Sequence, residues 1–381
     1  MSNLNPEIQT KALSGLVNHG NFVAVTFFIV MLAGLIQIIQ AFTSLDWRNI
    51  PLSENEFRTG KTAATLERQL DQKMPLRNTL IGLANGVRYG ITGGSVDQVR
   101  VGQSGWLFLT EEIRFDADGL SNMSARMDLL AGTRLALQTK GVNLLVAIVP
   151  DKARIYADQL RGAGYPIANQ NRYSEALQQL ARRDVPTVDL LQPMLKGRND
   201  REIYYRTDTH WNQSGAALAA SSVSIAARKL SSDLGNAQFV TQQDVQVSQR
   251  DGDLIRLMGL DSMPAAMRPK ADQEAVARTT PVNSTSSNAL LGDAYVPVVL
   301  VGTSYSLRGN FHGYLQQNLG APVLNTAMDG GGFLQAMSDY LKNDAFLQAK
   351  PKVLVWEIPE RFLSMPLTEE RDWLKKMGLY L

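Results

Sequence analysis

Cysteine is absent from the 381 residues, which excludes disulfides, thiol catalysis and cysteine-ligated zinc and is compatible with a reducing or an oxidising compartment alike. Histidine is nearly absent: the chain has three, His19, His210 and His312. They fall in no H-x-x-x-H or H-E-x-x-H spacing, so no metal site is expected. Net charge is small, 38 basic residues against 36 acidic, and there is no basic block or aromatic-interleaved basic stripe, so nucleic acid is not expected as a partner. Gly60-Lys61-Thr62 hints at a phosphate loop, but position 55 is Asn55 where the motif needs glycine and no apolar strand precedes it, so that reading is rejected and no cofactor is expected. What the chain has is apolar residues, 44% against 19% charged, enough for a sizeable core in one large domain or two.

One apolar run stands apart. Phe22 to Phe42, FVAVTFFIVMLAGLIQIIQAF, carries no charge and at about 1.5 Å per helical residue spans a bilayer core of about 30 Å. A buried core helix is disfavoured by the length. A cleaved signal peptide is disfavoured by the long apolar region and by the lack of a small-x-small site before Leu45. An uncleaved anchor is therefore expected over 22–42, after an N-terminal tail at 1–21. Glu7 and Lys11 before it and Asp46 and Arg48 after it nearly balance, so flanking charge leaves its orientation open.

Beyond the anchor, Ala63, Leu66, Leu70 and Met74 recur at helical spacing between Glu56 and Pro75, which predicts a helical neck within 43–98. Val99 to Leu109 alternates around Gly102-Gln103-Ser104-Gly105 and predicts a β-hairpin. Helical patterns at Met123–Lys140, Tyr173–Arg183 and Asn212–Leu230 then alternate with apolar runs at Leu144–Val149, Val185–Leu191, Pro297–Val301 and Val353–Trp356. That alternation predicts an α/β, doubly wound domain with a mainly parallel sheet over 99–381. Residues 231–288 are polar, and are expected to form an insertion or flexible flank with one short helix near Leu254–Leu260.

Ser304 follows the strand Pro297–Val301, at the carboxyl end where open parallel sheets carry their sites. A serine hydroxyl is a weak nucleophile and needs a base with a pKa near neutrality. Asp208 and His210, two apart, can enter one pocket from an extended stretch, the carboxylate fixing the tautomer of the imidazole. The alternatives are a helix-capping Thr303-Ser304 and a surface capping segment around Asp208. His19 precedes the anchor, and so lies across the bilayer from the body. His312, eight residues after Ser304, is expected to be a structural helical histidine.

Taken in order, Trp106-Leu107-Phe108, Val149-Pro150-Asp151-Lys152, Asp208-Thr209-His210-Trp211-Asn212, Gly252-Asp253-Leu254, Gly302-Thr303-Ser304-Tyr305 and Trp356-Glu357-Ile358-Pro359-Glu360-Arg361 resemble the alginate O-acetyltransferase family (AlgJ/AlgX-like). The resemblance covers roughly residues 55–365 and implies an SGNH-hydrolase-like domain with Asp208, His210 and Ser304 as catalytic triad. It further implies a tail in the cytoplasm, a single-pass anchor in the inner membrane and a periplasmic body that acetylates a secreted exopolysaccharide, alginate- or cellulose-like. A membrane-bound O-acyltransferase would supply acetyl groups, beside other exopolysaccharide assembly proteins. About twenty residues follow Arg361, so no carbohydrate-binding module is expected there. For the acceptor, Trp211 and Tyr305 are expected to stack on a sugar ring, with core packing as the alternative, and Lys152 or Arg308 to meet a carboxylate or hydroxyl. Asn325 and Gly330-Gly331-Gly332 are candidate oxyanion donors. A carbohydrate acetylesterase with the same triad, and a non-catalytic scaffold of an export complex, are the competing functions.

Overall fold

The computed structural model describes residues 6–162, 164–282, 295–368, 370, 372 and 373, with side chains from residue 21 onward. The expected tail at 1–21 thus falls almost wholly outside the described side chains, His19 among them. The chain divides into two compact units, residues 1–84 and 85–381, and the division falls inside the helix Arg77–Thr92.

In the first unit a helix runs from Pro6 to Thr43. Its stretch Asn21–Thr43 is long and apolar enough to cross a membrane, with mean hydropathy 2.6 over its best window. Phe22, Ile29 and Leu32 are each more than half exposed, an arrangement that suits an apolar surrounding rather than water. The helix expected from Glu56 to Met74 is split into Glu54–Arg58 and Lys61–Lys73. Gly60 between them has φ +74°, a left-handed conformation that ends the first helix and that glycine adopts without a Cβ penalty.

The second unit is built on strands. They are β1 (Val99–Val101), β2 (Leu107–Leu109), β3 (Asn143–Val149), β4 (Thr187–Val188), β5 (Phe239–Gln243), β6 (Ser248–Arg250), β7 (Asp272–Glu274), β8 (Ala277–Pro281), β9 (Val298–Val301), β10 (Val323–Asn325) and β11 (Val353–Pro359). β1 and β2 form the expected hairpin, whose turn places Ser104 and Gly105 at positive φ. Five strands make one parallel sheet in the order β10-β9-β11-β3-β4. The doubly wound α/β architecture follows from what covers it. Leu145, Ala147 and Val149 of β3 face Ala216, Ala219, Ala220 and Val223 of the helix Gln213–Leu230. Leu144, Val146 and Ile148 face the other way, onto Met123, Met127 and Leu130 of the helix Gly119–Gln138. A strand with both faces in a core reads as a continuous apolar run, and each such Val, Leu, Ile or Met side chain contributes about 1.5–3 kcal/mol by leaving water.

Two expectations are corrected. Of Val185–Leu191 only Thr187–Val188 is strand, at the sheet edge, and a helix begins at Leu191; Pro186 has no N–H to give the ladder, and the Asp189 carboxylate accepts the Leu191 N–H. The polar stretch after Leu230 holds four strands besides the helix Asp253–Leu257, paired antiparallel as β5 with β8 and β6 with β7. Their side chains alternate poorly because both ribbons lie largely in solvent, so apolar periodicity could not reveal them. Residues 283–288 of that expected insertion lie outside the described residues.

Candidate active site

The parallel register puts three loops at one edge of the sheet. Val149 lies beside Pro359 and Trp356 beside Val301, so Pro150-Asp151-Lys152, Gly302-Thr303-Ser304 and Glu360-Arg361 leave the same carboxyl ends. Ser304 starts a short 3₁₀ turn, Ser304–Leu307, capped by Thr303, whose hydroxyl accepts the Tyr305 N–H. The turn is fixed from beneath by Glu357 of β11. Its carboxylate accepts from the Thr303 N–H at 2.7 Å, from the Thr303 hydroxyl and from the Ser306 hydroxyl at 3.0 Å. A Cβ at Gly302 would stand 2.5 Å from the Glu357 Oε2, so only glycine lets the chain pass this close. Burial raises the Glu357 carboxyl above its ordinary range, against the pull of these donors.

The partner loop is closed by an isolated bridge between Tyr204 and Trp211, and Asn212 caps the next helix by accepting from the Ser214 and Gly215 N–H groups. Between these fixed ends Asp208 folds back on its own backbone: Oδ1 accepts the His210 N–H at 2.9 Å and lies 2.6 Å from His210 Nδ1. The His210 Nε2 lies 2.7 Å from Ser304 Oγ. With Asp208 on Nδ1, the neutral imidazole carries its proton there and turns a lone pair toward the serine. Burial works to raise the Asp208 carboxyl, but the hydrogen bond and charge of His210 and the charge of Arg250 outweigh it and hold it well below the usual carboxylate range.

The structure therefore brings together Asp208, His210 and Ser304, 94 residues apart at the His–Ser contact. Trp211 joins the two loops: its indole N–H donates to the Tyr305 carbonyl at 3.1 Å, and its ring packs edge-on against Tyr305 at 5.1 Å. Trp211 and Tyr305 are 0% and 1% exposed, which corrects their expected use as sugar-stacking surfaces. Lys152 is corrected in the same way. It is fully buried, donates to the Arg206 and Asp208 carbonyls at 2.8 Å each, and sits over the rings of Trp106 and Phe108. It braces the loop from within. Arg308 keeps about a third of its side chain open and pairs with Asp329 at 3.1 Å. Asn325 is committed to bracing, donating to the Ser306 carbonyl and accepting the Ala327 N–H. Of Gly330-Gly331-Gly332, the last two line a cleft together with Arg126 and Phe333. His312, on the helix Phe311–Leu319, donates its Nε2–H to the Val323 carbonyl at 2.7 Å, a structural histidine as expected.

Two residues that sequence reading missed come from the polar insertion. Asp253 accepts from the Thr209 N–H at 2.8 Å and from the Thr209 hydroxyl, gives its own N–H to Asp208 Oδ2 at 3.2 Å, and lies 3.5 Å from His210 Nδ1. Arg250 places Nη1 3.0 Å from Asp208 Oδ2. The Gly252-Asp253 pair was the available signal for the first; nothing local marked the second. Asp208, His210 and Asp253 hold metal-ligand-type atoms within 4.8 Å of one another. Protein donors already occupy those carboxylate oxygens and a guanidinium adds positive charge, which opposes a cation there.

The family described as SGNH hydrolase-like domain, acetyltransferase AlgX, matches residues 99–360. The probable alginate O-acetylase AlgJ of Pseudomonas syringae pv. tomato is 32% identical over 342 residues, 88% of this chain and 87% of that protein. The protein of the same description from Pseudomonas putida is 34% identical over 310 residues, 80% of each. Among solved structures, the O-acetyltransferase domain of Pseudomonas putida AlgJ superposes with TM-score 0.65 at 34% identity, covering 73% of this chain and 98% of that one. Pseudomonas aeruginosa AlgX shares the fold with TM-score 0.54 at 24% identity, covering 68% of this chain and 61% of that one.

Proposed function

The chain belongs to the family of SGNH hydrolase-like AlgX acetyltransferase domains, and from that premise we propose that it is a polysaccharide O-acetyltransferase working through an acetyl-Ser304 intermediate. The observation that carries the mechanism is the unbroken chain Asp208–His210–Ser304, with contacts of 2.6 and 2.7 Å. His210 Nε2 takes the Ser304 proton as Oγ bonds to the acetyl carbonyl carbon. The same proton passes to the departing donor oxygen, leaving acetyl-serine. A sugar hydroxyl then gives its proton to His210 and attacks the acetyl carbon, and Ser304 recovers the proton as its ester bond breaks. Asp208 stays ionised throughout, which its depressed carboxyl favours.

The acceptor in this proposal is an exopolysaccharide of the alginate class, since the relatives are described as alginate O-acetylases. The acetyl supplier is a membrane-bound O-acyltransferase acting beside other exopolysaccharide assembly proteins. The apolar helix Asn21–Thr43 anchors the chain in the inner membrane with its body in the periplasm. Of the four acceptor-contacting candidates only Arg308 retains a partly open side chain, and it is the one proposed to meet the acceptor.

The test uses the full chain in detergent with a chromogenic acetyl ester, with and without an oligouronate acceptor, followed by mass spectrometry of the sugar. Acetylated sugar is expected. Ser304→Ala is expected to reduce acetyl release by about a thousandfold or more. Acetate without acetylated sugar assigns the esterase reaction instead, and an active Ser304→Ala overturns the nucleophile.

A further inference from the structure

Asp208 has two carboxylate oxygens, and the triad uses one. Oδ1 is taken by His210, through its N–H and its Nδ1. Oδ2 receives the Asp253 N–H and faces the Arg250 guanidinium, whose Nη1 is 3.0 Å away. That contact is a charge contact, because Nη1 is buried and makes no hydrogen bond. Arg250 ends β6, a strand of the small ribbon that apolar patterning did not reveal, and its partner across the ribbon is Asp272 of β7. It is held in place from two other sides: the guanidinium lies 4.3 Å above the Tyr205 ring and Nε is 3.4 Å from the Glu274 carboxylate.

We propose that Arg250 is a positioning residue of the acyl transfer, acting through Asp208 to keep that carboxylate ionised and aimed at His210. The inference rests on the Ser304–His210–Asp208 reading. A carboxylate 1% exposed would otherwise bind a proton more readily, and a protonated Asp208 cannot stabilise the imidazolium that forms when His210 takes the serine proton. The charged and titratable groups around the contact are His210 and Asp253 beside Asp208, Lys152 beneath its loop, Tyr205 and Glu274 around the guanidinium, and Asp272 across the ribbon. Of the three further acids Glu274 alone is paired with the guanidinium, 3.4 Å from Nε, and it orients Arg250. None of the three replaces it, since each adds negative charge near Asp208.

Removing the cation beside Asp208 makes that site bind a proton more readily, so the acidic limb of the rate profile must move to higher pH. The experiment measures kcat/KM for a chromogenic acetyl ester between pH 5 and 9 on the full-length chain in detergent. Arg250→Gln is expected to shift the acidic limb upward and to lower the plateau about 10- to 100-fold. Arg250→Lys, which keeps the charge, is expected to recover most of both. Because the effect passes through Asp208, Arg250→Gln added to Asp208→Asn should cost little beyond Asp208→Asn alone. Circular dichroism and the melting temperature track folding separately. A merely structural role would scale the rate equally at all pH, leave the limb in place and add fully to Asp208→Asn, and that result overturns the proposal. Ser304→Ala runs alongside: if it stays active the triad reading itself has failed, whereas an inactive Ser304→Ala with an unshifted Arg250→Gln profile removes only the role of Arg250.

Discussion

A Cβ built at Gly252 would stand 2.0 Å from the Thr207 carbonyl oxygen and 2.6 Å from the Asp208 nitrogen. Both neighbours are backbone, so Gly252→Ala has no flexible side chain to displace and must push the Asp208 loop away from Asp253. It is expected to destabilise the protein by about 1–3 kcal/mol, read as a lower denaturant midpoint, and to lower ester turnover by more than the unfolded fraction explains. Lys152 gives a pH test. Burial takes its ammonium down from 10.5 to about 8. Below about 8 the lysine is charged in both states and its burial opposes folding. Between about 8 and 10.5 the unfolded chain binds the proton that the folded chain releases, so this residue makes stability rise with pH. Subtracting the stability curve of Lys152→Met from that of the unmodified chain should therefore leave a difference that rises across that window, by at most about 3 kcal/mol; a flat difference contradicts the buried cation. Neither residue could be assigned its role from the sequence, because Gly-Asp-Leu and Pro-Asp-Lys name residue types while burial and contact distance belong to the packed loops.

At the level of elements, the carboxyl ends of β3 and β11 are tied by buried charges. Arg172, on the helix Arg172–Arg182, pairs with Asp151 after β3 and at 3.1 Å with Glu360 after β11, and Glu360 is gripped again by Arg154. These groups are almost fully withdrawn from water, so removing one partner leaves an uncompensated buried charge. Arg172→Met is expected to cost about 3–5 kcal/mol in chemical denaturation. Arg278→Met, which breaks the exposed pair with Asp244, is expected to cost less than about 1 kcal/mol, so equal losses would refute the distinction. The same division explains what was legible. Strands buried on both faces announce themselves as apolar runs at 144–149, 297–301 and 353–356, and the structure has β3, β9 and β11 there. The ribbon of β6 and β7 is held by backbone pairing and by polar contacts such as Asp272 with the Arg206 and Thr207 N–H groups. Such strands leave no hydrophobic period to read.

Over the whole chain, the apolar helix Asn21–Thr43 sets how the protein must be handled. Full-length protein is expected to enter the detergent phase on Triton X-114 partitioning, and a chain lacking residues 21–43 the aqueous phase. Recovery of the intact chain in the aqueous phase would contradict a membrane-crossing role.

Three features were determined by the sequence alone: the apolar span, the alternation of helices with buried strands, and a short list of bases that leaves His210 beside Asp208. Each follows from composition or from periodicity within a few residues, which local geometry dictates. Tertiary structure decided the rest. It brought Ser304 to His210 across 94 positions and turned Trp211, Tyr305 and Lys152 inward. It also delivered Arg250 and Asp253 from a polar insertion to the rear of Asp208. Those outcomes depend on which surfaces the sheet and its loops bury against one another, and long-range packing of that kind has no period along the chain.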